Sequence, residues 1–156
     1  MITQTRNQAT AKVIVVMPAY TAAKTLRITY DAIPKENVDQ VILVDDGSSD
    51  DTLKIAKELK LEVFVHARNF GYGGNQKTCY TEALKAGADI IVMLHPDYQY
   101  DPTLLPNLVA PIKAGEADVV LGSRFLQGDV MRQGMPWWKF FGNRLLTRLE
   151  NYALGL

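Results

Sequence analysis

The sequence predicts an α/β fold: a mostly parallel sheet with helices on both faces. Three observations predict it. Short β-branched and apolar runs recur at Val13–Met17, Val41–Val44, Leu61–Val65, Ile90–Leu94 and Asp118–Leu121. Amphipathic segments of helical period separate them, which is the alternation of βαβ units. Finally, 156 residues, of which 47% are hydrophobic and 22% charged, suit one domain with a substantial core.

Taken in order, Val13–Met17 reads as a first strand stopped by Pro18, and Ala22 to Ile33 as a helix with Ala22, Ala23, Leu26, Tyr30 and Ile33 on one face. Val41–Val44 carries no polar residue and reads as a central strand, buried on both sides. Asp45-Asp46-Gly47-Ser48-Ser49 then leads into a helix capped by Ser49 or Asp50, with Leu53, Ala56 and Leu59 as its buried stripe. Leu61–Val65 is the third strand. The stretch Arg68 to Asn75 reads as a glycine-rich loop before a helix that ends near Gly87. Ile90–Leu94 is the fourth strand, and a helix through Leu104, Leu105, Leu108, Val109 and Ile112 follows, starting near Pro102 and disturbed by Pro111. Asp118–Leu121 is expected as a fifth strand, Gln127 to Pro136 as a loop, and Trp137 to Leu154 as a last amphipathic helix.

Composition narrows the function classes. Seventeen basic and seventeen acidic side chains give zero formal net charge, so no overall field favours nucleic acid or an anionic surface. The single Cys79 rules out an internal disulfide framework, in keeping with a reducing compartment. Met1 to Lys12 is polar and lacks the apolar core of a signal peptide. The longest apolar runs, Val13–Met17 and Ile90–Leu94, are too short to span a bilayer. A soluble chain is expected, in the cytoplasm or at the cytoplasmic face of a membrane.

Ligands of open parallel sheets bind outside the carboxyl ends of the strands. The unusual polar residues fall at such ends: Pro18-Ala19-Tyr20, Asp45-Asp46, His95-Pro96-Asp97 and Arg124. Asp and Ser before a helix commonly serve only as caps and turns. Two adjacent carboxylates followed by Gly47 exceed that need, and one can accept from a base N–H or a ribose hydroxyl. Asp97, after a buried strand, is placed to hold a divalent cation against a diphosphate, since such ions take few protein oxygens. Gln99 can add a carbonyl oxygen. His95 would suit Mn²⁺ better than Mg²⁺.

Arg124 suits a diphosphate through its planar guanidinium. Gly71-Tyr72-Gly73-Gly74 matches neither the Walker pattern nor the dinucleotide fingerprint, and is expected to form a tight turn against the crevice. His66 and Cys79 show no metal spacing or triad partner and read as structural.

Together, Val16 to Tyr20, Val44 to Asp50 and Gly122-Ser123-Arg124 resemble the successive motifs of glycosyltransferase family 2, especially its polyprenyl-phosphate sugar synthases. Asn69–Asn75 and Ala88–Gln99 fall where that family carries its glycine loop and Asp-x-Asp motif. The likeness covers about residues 12–150, and the order of motifs is more specific than any one of them.

The resemblance implies a Rossmann-like GT-A fold, a UDP- or GDP-linked sugar donor, Mn²⁺ or Mg²⁺, and inversion at the anomeric carbon. It implies a polar tail at 1–11, a nucleotide-sugar-binding domain at 12–126, and a loop with a C-terminal helix at 127–156. Pro18, Ala19 and Tyr20 would line the base and ribose pocket, and Val44, Asp45 and Asp46 would contact the base. Asp97 would hold the metal with Gln99 nearby, and Arg124 would bind phosphate. The acceptor would be a polyprenyl phosphate or a growing glycan.

Three departures stand out. Thr21-Ala22 replaces the family's Asn-Glu, His95 replaces the first Asp of Asp-x-Asp, and the acceptor half with its acidic and arginine motifs would lie beyond Leu156. No catalytic base is identified. Trp137, Trp138, Phe140, Phe141, Leu145, Leu146 and Leu149 form an apolar stripe with Lys139, Arg144 and Arg148 interspersed. One reading is an interfacial helix meeting a membrane surface or lipid-linked acceptor. The favoured one is packing on the domain, on a further C-terminal region, or across a homodimer. A non-catalytic nucleotide-sugar-binding module is the alternative function. A sugar-phosphate nucleotidyltransferase is disfavoured, because no Gly-x-Gly-x-Arg follows the first strand.

Overall fold

A computed structural model describes residues 11–123 and 136–155. The chain divides into two units, residues 1–120 and 121–156. In the first, β1 (Val13–Ala19), β2 (Gln40–Asp45), β3 (Glu62–Val65) and β4 (Ile90–Met93) form one sheet of order β3-β2-β1-β4. Every pairing is parallel, with Val15 opposite both Val41 and Val92 and Leu43 opposite Val63. Helices α1 (Leu26–Asp31), α2 (Thr52–Glu58) and α3 (Gly71–Lys85) supply the crossovers, and α4 (Leu105–Lys113) follows β4.

Strand alternation sorts β1 onto two cores. Val13, Val15, Met17 and Ala19 pack with Leu26 of α1, Ala56 of α2, and Leu105 and Val109 of α4. Ile14 and Val16 point the other way, onto Cys79 and Ala83 of α3. All seven residues of β1 are buried, as a central strand covered on both faces must be. The predicted class, a parallel sheet with helices on both faces, is the one observed.

Several boundaries differ from expectation, each for a physical reason. β1 runs through Pro18 to Ala19, with Pro18 opposite Val44 and Ala19 opposite Asp45. Proline is tolerated because β4 pairing ends at Val16, so no ladder bond on that side is forfeited. α1 begins at Leu26 instead of Ala22, because the preceding backbone N–H groups are taken by side chains of the α2 entry. The α2 cap position is Asp51, whose side chain makes no capping bond; Asp50 Oδ1 accepts from Thr52 N instead. Gly71 to Gly74 is no loop but the first turn of α3. Residues 118–121 form no strand, and Val119 and Leu121 are exposed. Their β-branched character suits a sheet, but pairing decides, and nothing among the described residues pairs with them.

The second unit contains α5 (Trp137–Leu154), with the predicted bounds, closed by Gly155 in the left-handed conformation. Trp137, Trp138, Phe141, Leu145, Leu146 and Leu149 are all exposed. Among the described residues, no helix is long and apolar enough to cross a membrane. Arg124 and most of the expected loop from Gln127 lie outside the described residues.

Candidate active site

The strand order places a topological switch between β1 and β4: the chain steps outward from β1 to β3, then crosses back to the other side. A crevice at the carboxyl end of that pair is the expected ligand site. Two residues beside it have positive φ, Thr21 at 51° after β1 and Tyr98 at 57° after β4. A β-branched residue there is a genuine outlier, and such strain persists where surrounding contacts over-determine it. Thr21 N donates to Ser48 Oγ at 2.8 Å. Ala22 N donates to Thr52 Oγ1 at 2.8 Å and Ala23 N to Asp50 Oδ2 at 3.0 Å. The polar residues after the acid pair thus tie down the loop that follows β1. Tyr20 projects from that loop, 56% exposed.

Asp45 and Asp46 end up almost wholly enclosed, at 0% and 2% exposure. Asp46 Oδ1 meets His66 Nδ1 at 2.7 Å and accepts from Phe70 N at 2.9 Å; Oδ2 accepts from Gly71 N at 2.9 Å. Burial works against its charge, but the His66 bond and the two backbone donors outweigh it and hold the carboxyl below its ordinary value. His66 Nε2 lies 2.9 Å from Thr78 Oγ1, completing a chain from β2 to α3. Asp46 therefore occupies the amino end of α3 that a phosphate would otherwise seek.

Asp45 Oδ2 accepts from Ser48 N at 2.9 Å, while its buried Oδ1 has no partner among the described residues. Val44 is fully buried. Gly47, at φ +79°, backs onto the Arg68–Asn69 backbone, where a Cβ would sit 3.3 Å from Arg68 C and Asn69 N. The missing side chain there makes room for the chain itself.

Asn75, absent from the sequence-based candidates, is buried in α3. Its Nδ2 donates to Ala19 O at 3.3 Å and Val44 O at 3.0 Å, bridging the ends of β1 and β2 from below.

At the end of β4 the setting is open. Asp97 is exposed, and its Oδ1 accepts from Gln99 N at 3.0 Å in a tight turn. Thr25 Oγ1 donates to Pro96 O at 2.5 Å, pinning that turn to the chain before α1. His95 stacks on Tyr72 with ring centroids 5.4 Å apart and planes inclined by 21°. Its Nε2 lies 3.2 Å from the Tyr72 hydroxyl. Among the described residues, no group of three or more His, Cys, Asp and Glu could hold a metal by itself. An exposed carboxylate fits a hard cation whose remaining ligands are phosphate and water.

The sequence profile of glycosyl transferase family 2 matches residues 14–155. The chain belongs to that family. It is 31% identical over 148 residues to a UDP-N-acetylglucosamine–dolichyl-phosphate N-acetylglucosaminyltransferase of Methanococcus voltae, covering 84% of this chain and 59% of the relative. It is 26% identical to the polyprenol monophosphomannose synthase of Mycolicibacterium smegmatis, covering 94% and 57%. The structure matches glucosyl-3-phosphoglycerate synthase of Mycobacterium tuberculosis, solved with Mn²⁺, UDP and glucosyl-3-phosphoglycerate, at a TM-score of 0.60. That match is 26% identical and covers 70% of this chain and 42% of the other. The fold is thus of the GT-A class, and the chain spans a little over half the length of these two curated relatives.

The predicted site residues from Pro18 to Asp97 lie along one edge of the sheet, but in settings the sequence did not distinguish: Asp45 and Asp46 enclosed, Asp97 exposed. His66, read as structural, does hold Asp46 in place, whereas Asn75 went unassigned because its partners lie 31 and 56 residues away. The one local signal was a polar residue set among the apolar positions of α3.

Proposed function

We propose that the chain is the donor-binding part of an inverting glycosyltransferase, using a UDP- or GDP-linked sugar and an acceptor of the polyprenyl phosphate or glycan kind. One observation carries this reading. A family 2 chain brings Tyr20, the Asp45-Asp46 pair and Asp97 to the carboxyl end of one parallel sheet, around its switch point. The nucleoside lies along the ends of β1 and β2, over Pro18-Ala19-Tyr20. Asp45 braces the turn beneath it, its Oδ2 accepting from Ser48 N and its Oδ1 enclosed. Val44 and Asp46 support that edge from within.

The diphosphate then runs toward β4. In the transfer, an acceptor oxygen attacks the anomeric carbon while the bond to the nucleotide diphosphate breaks on the opposite face. Charge gathers on the departing diphosphate, and Asp97, with Gln99 beside it, would hold the Mn²⁺ or Mg²⁺ that neutralises it. Arg124 takes the remaining phosphate charge. His95 offers its second ring nitrogen to the same edge. An acceptor phosphate is already ionised and needs no base. α5 presents its aromatic face to the acceptor's lipid surface or to a protein partner.

Calorimetric titration with UDP, UDP-glucose, GDP and GDP-mannose, each with and without Mn²⁺, tests the reading. Binding of one nucleotide series, strengthened by Mn²⁺, is the expected result; no binding by either sinks it. Binding without transfer to a polyprenyl phosphate would favour a nucleotide-sugar-binding module.

A further inference from the structure

Tyr72 is 63% exposed, yet it is held still. Its hydroxyl accepts from Gln76 Nε2 at 2.7 Å and lies 3.2 Å from His95 Nε2. Its ring lies over the imidazole, and Tyr100 approaches the same imidazole at 6.1 Å. Three rings thus stand in a row beside the turn that carries Asp97. Ordering a long side chain at the surface costs conformational entropy, and the packing gained by an exposed ring is small. Held in place before any ligand arrives, however, it lowers the cost of binding one.

We propose that Tyr72, backed by His95, is the platform for the hexose ring of the donor. This rests on the transferase reading above. If Asp97 holds the cation on the diphosphate, the sugar is joined to that diphosphate and must lie within a few atoms of it. Tyr20 stands at the β1 end of the crevice, where the nucleoside is placed, whereas Tyr72 and His95 stand at the β4 end. One face of a pyranose presents C–H groups that are apolar and slightly positive, and an aromatic face is negative. The two surfaces match in size and in charge. Hydroxyl groups at the ring's edge would meet the Gln76 amide and the Tyr72 hydroxyl.

The test compares wild type, Tyr72→Ala and Tyr72→Phe in calorimetric titrations with Mn²⁺, using UDP against UDP-glucose and GDP against GDP-mannose. Tyr72→Ala is expected to weaken the sugar nucleotide about five- to tenfold, the size of one aromatic contact. The bare nucleoside diphosphate should change by less than about twofold, and Tyr72→Phe, which keeps the ring face, should lose less than Tyr72→Ala. Equal weakening of both ligands, or of neither, overturns the proposal. Saturation-transfer NMR on the wild type gives a reading independent of variant stability. Irradiating aromatic protons must reach the pyranose protons, and silence there overturns it as well. If wild type binds no nucleotide at all, the transferase reading fails and the platform falls with it.

Discussion

The acid pair after β2 and the lone acid after β4 sit on the same edge of the sheet, but the chain treats them in opposite ways. Asp46 is buried and receives three donors from the protein; Asp97 is exposed and receives one, from its own turn. The β2 end of that edge is therefore built before any ligand binds. The β4 end is left open, as the proposed cation site requires for an ion that takes most of its oxygens from phosphate and water. Substitutions at the first end should register as stability, and at the second as ligand affinity.

The sharpest break of that contrast is Asp46→Ala. It strands Phe70 N and His66 in a part-buried setting, while Gly71 N keeps Asn69 Oδ1, and bonds to a charged acceptor are the costly ones to lose. A loss of about 3 kcal/mol in urea unfolding is expected. The same carboxylate sets an acid limit. Asp46 and Asp50 are both held below the ordinary 3.8, in each case against burial; for Asp50 the opposing bonds come from the Thr52 hydroxyl and the Ala23 and Thr52 N–H groups. A folded state with lowered carboxyl pKa binds fewer protons than the unfolded one. The stability it confers is complete above the ordinary value and disappears as pH falls through the lowered ones. Urea midpoints measured from pH 6 downward should hold until about pH 4 and then drop, and Asp46→Asn should drop less steeply. An equally steep fall in the variant would remove Asp46 from the account.

Next in size is Asn75→Ala, which removes a bond from Val44 O and one from Ala19 O, the latter still accepting from Asp46 N, at a cost of about 2 kcal/mol. Gly47→Ala should cost about 1–2 kcal/mol, from a positive φ and a Cβ pressed against the Arg68–Asn69 backbone. A neutral outcome in thermal unfolding would mean that this backbone yields easily.

These effects also mark what sequence reading could reach. The strands were legible because Val13–Met17, Val41–Val44 and Ile90–Leu94 are apolar on both faces, a pattern only a covered parallel sheet requires. Asp45, Asp46 and Asp97 were legible as unusual because they sit at strand ends. Their roles were not, since Asp46 is defined by His66 and Phe70, and helical placement of Gly71 to Gly74 by that same carboxylate. A carboxylate 25 residues away can cap a helix as well as a local residue can, and no local pattern announces it. Residues 118–121 failed in the converse way: good strand residues without a partner among those described make no strand.

The smallest expected change in stability is also the most telling. Asp97→Asn replaces an exposed side chain whose one internal bond, from Gln99 N to Oδ1, the amide oxygen can still accept. Unfolding free energy should stay within about 0.5 kcal/mol of wild type, as for most surface changes. The amide carries no charge for a divalent cation, so Mn²⁺ should no longer strengthen nucleotide binding, a loss of about tenfold or more. Both halves must hold together. A destabilised variant would mean that the β4 end is built like the β2 end, and undiminished Mn²⁺ dependence would move the cation elsewhere. Only unchanged stability with lost cation dependence matches an edge that is half built and half left to its ligand.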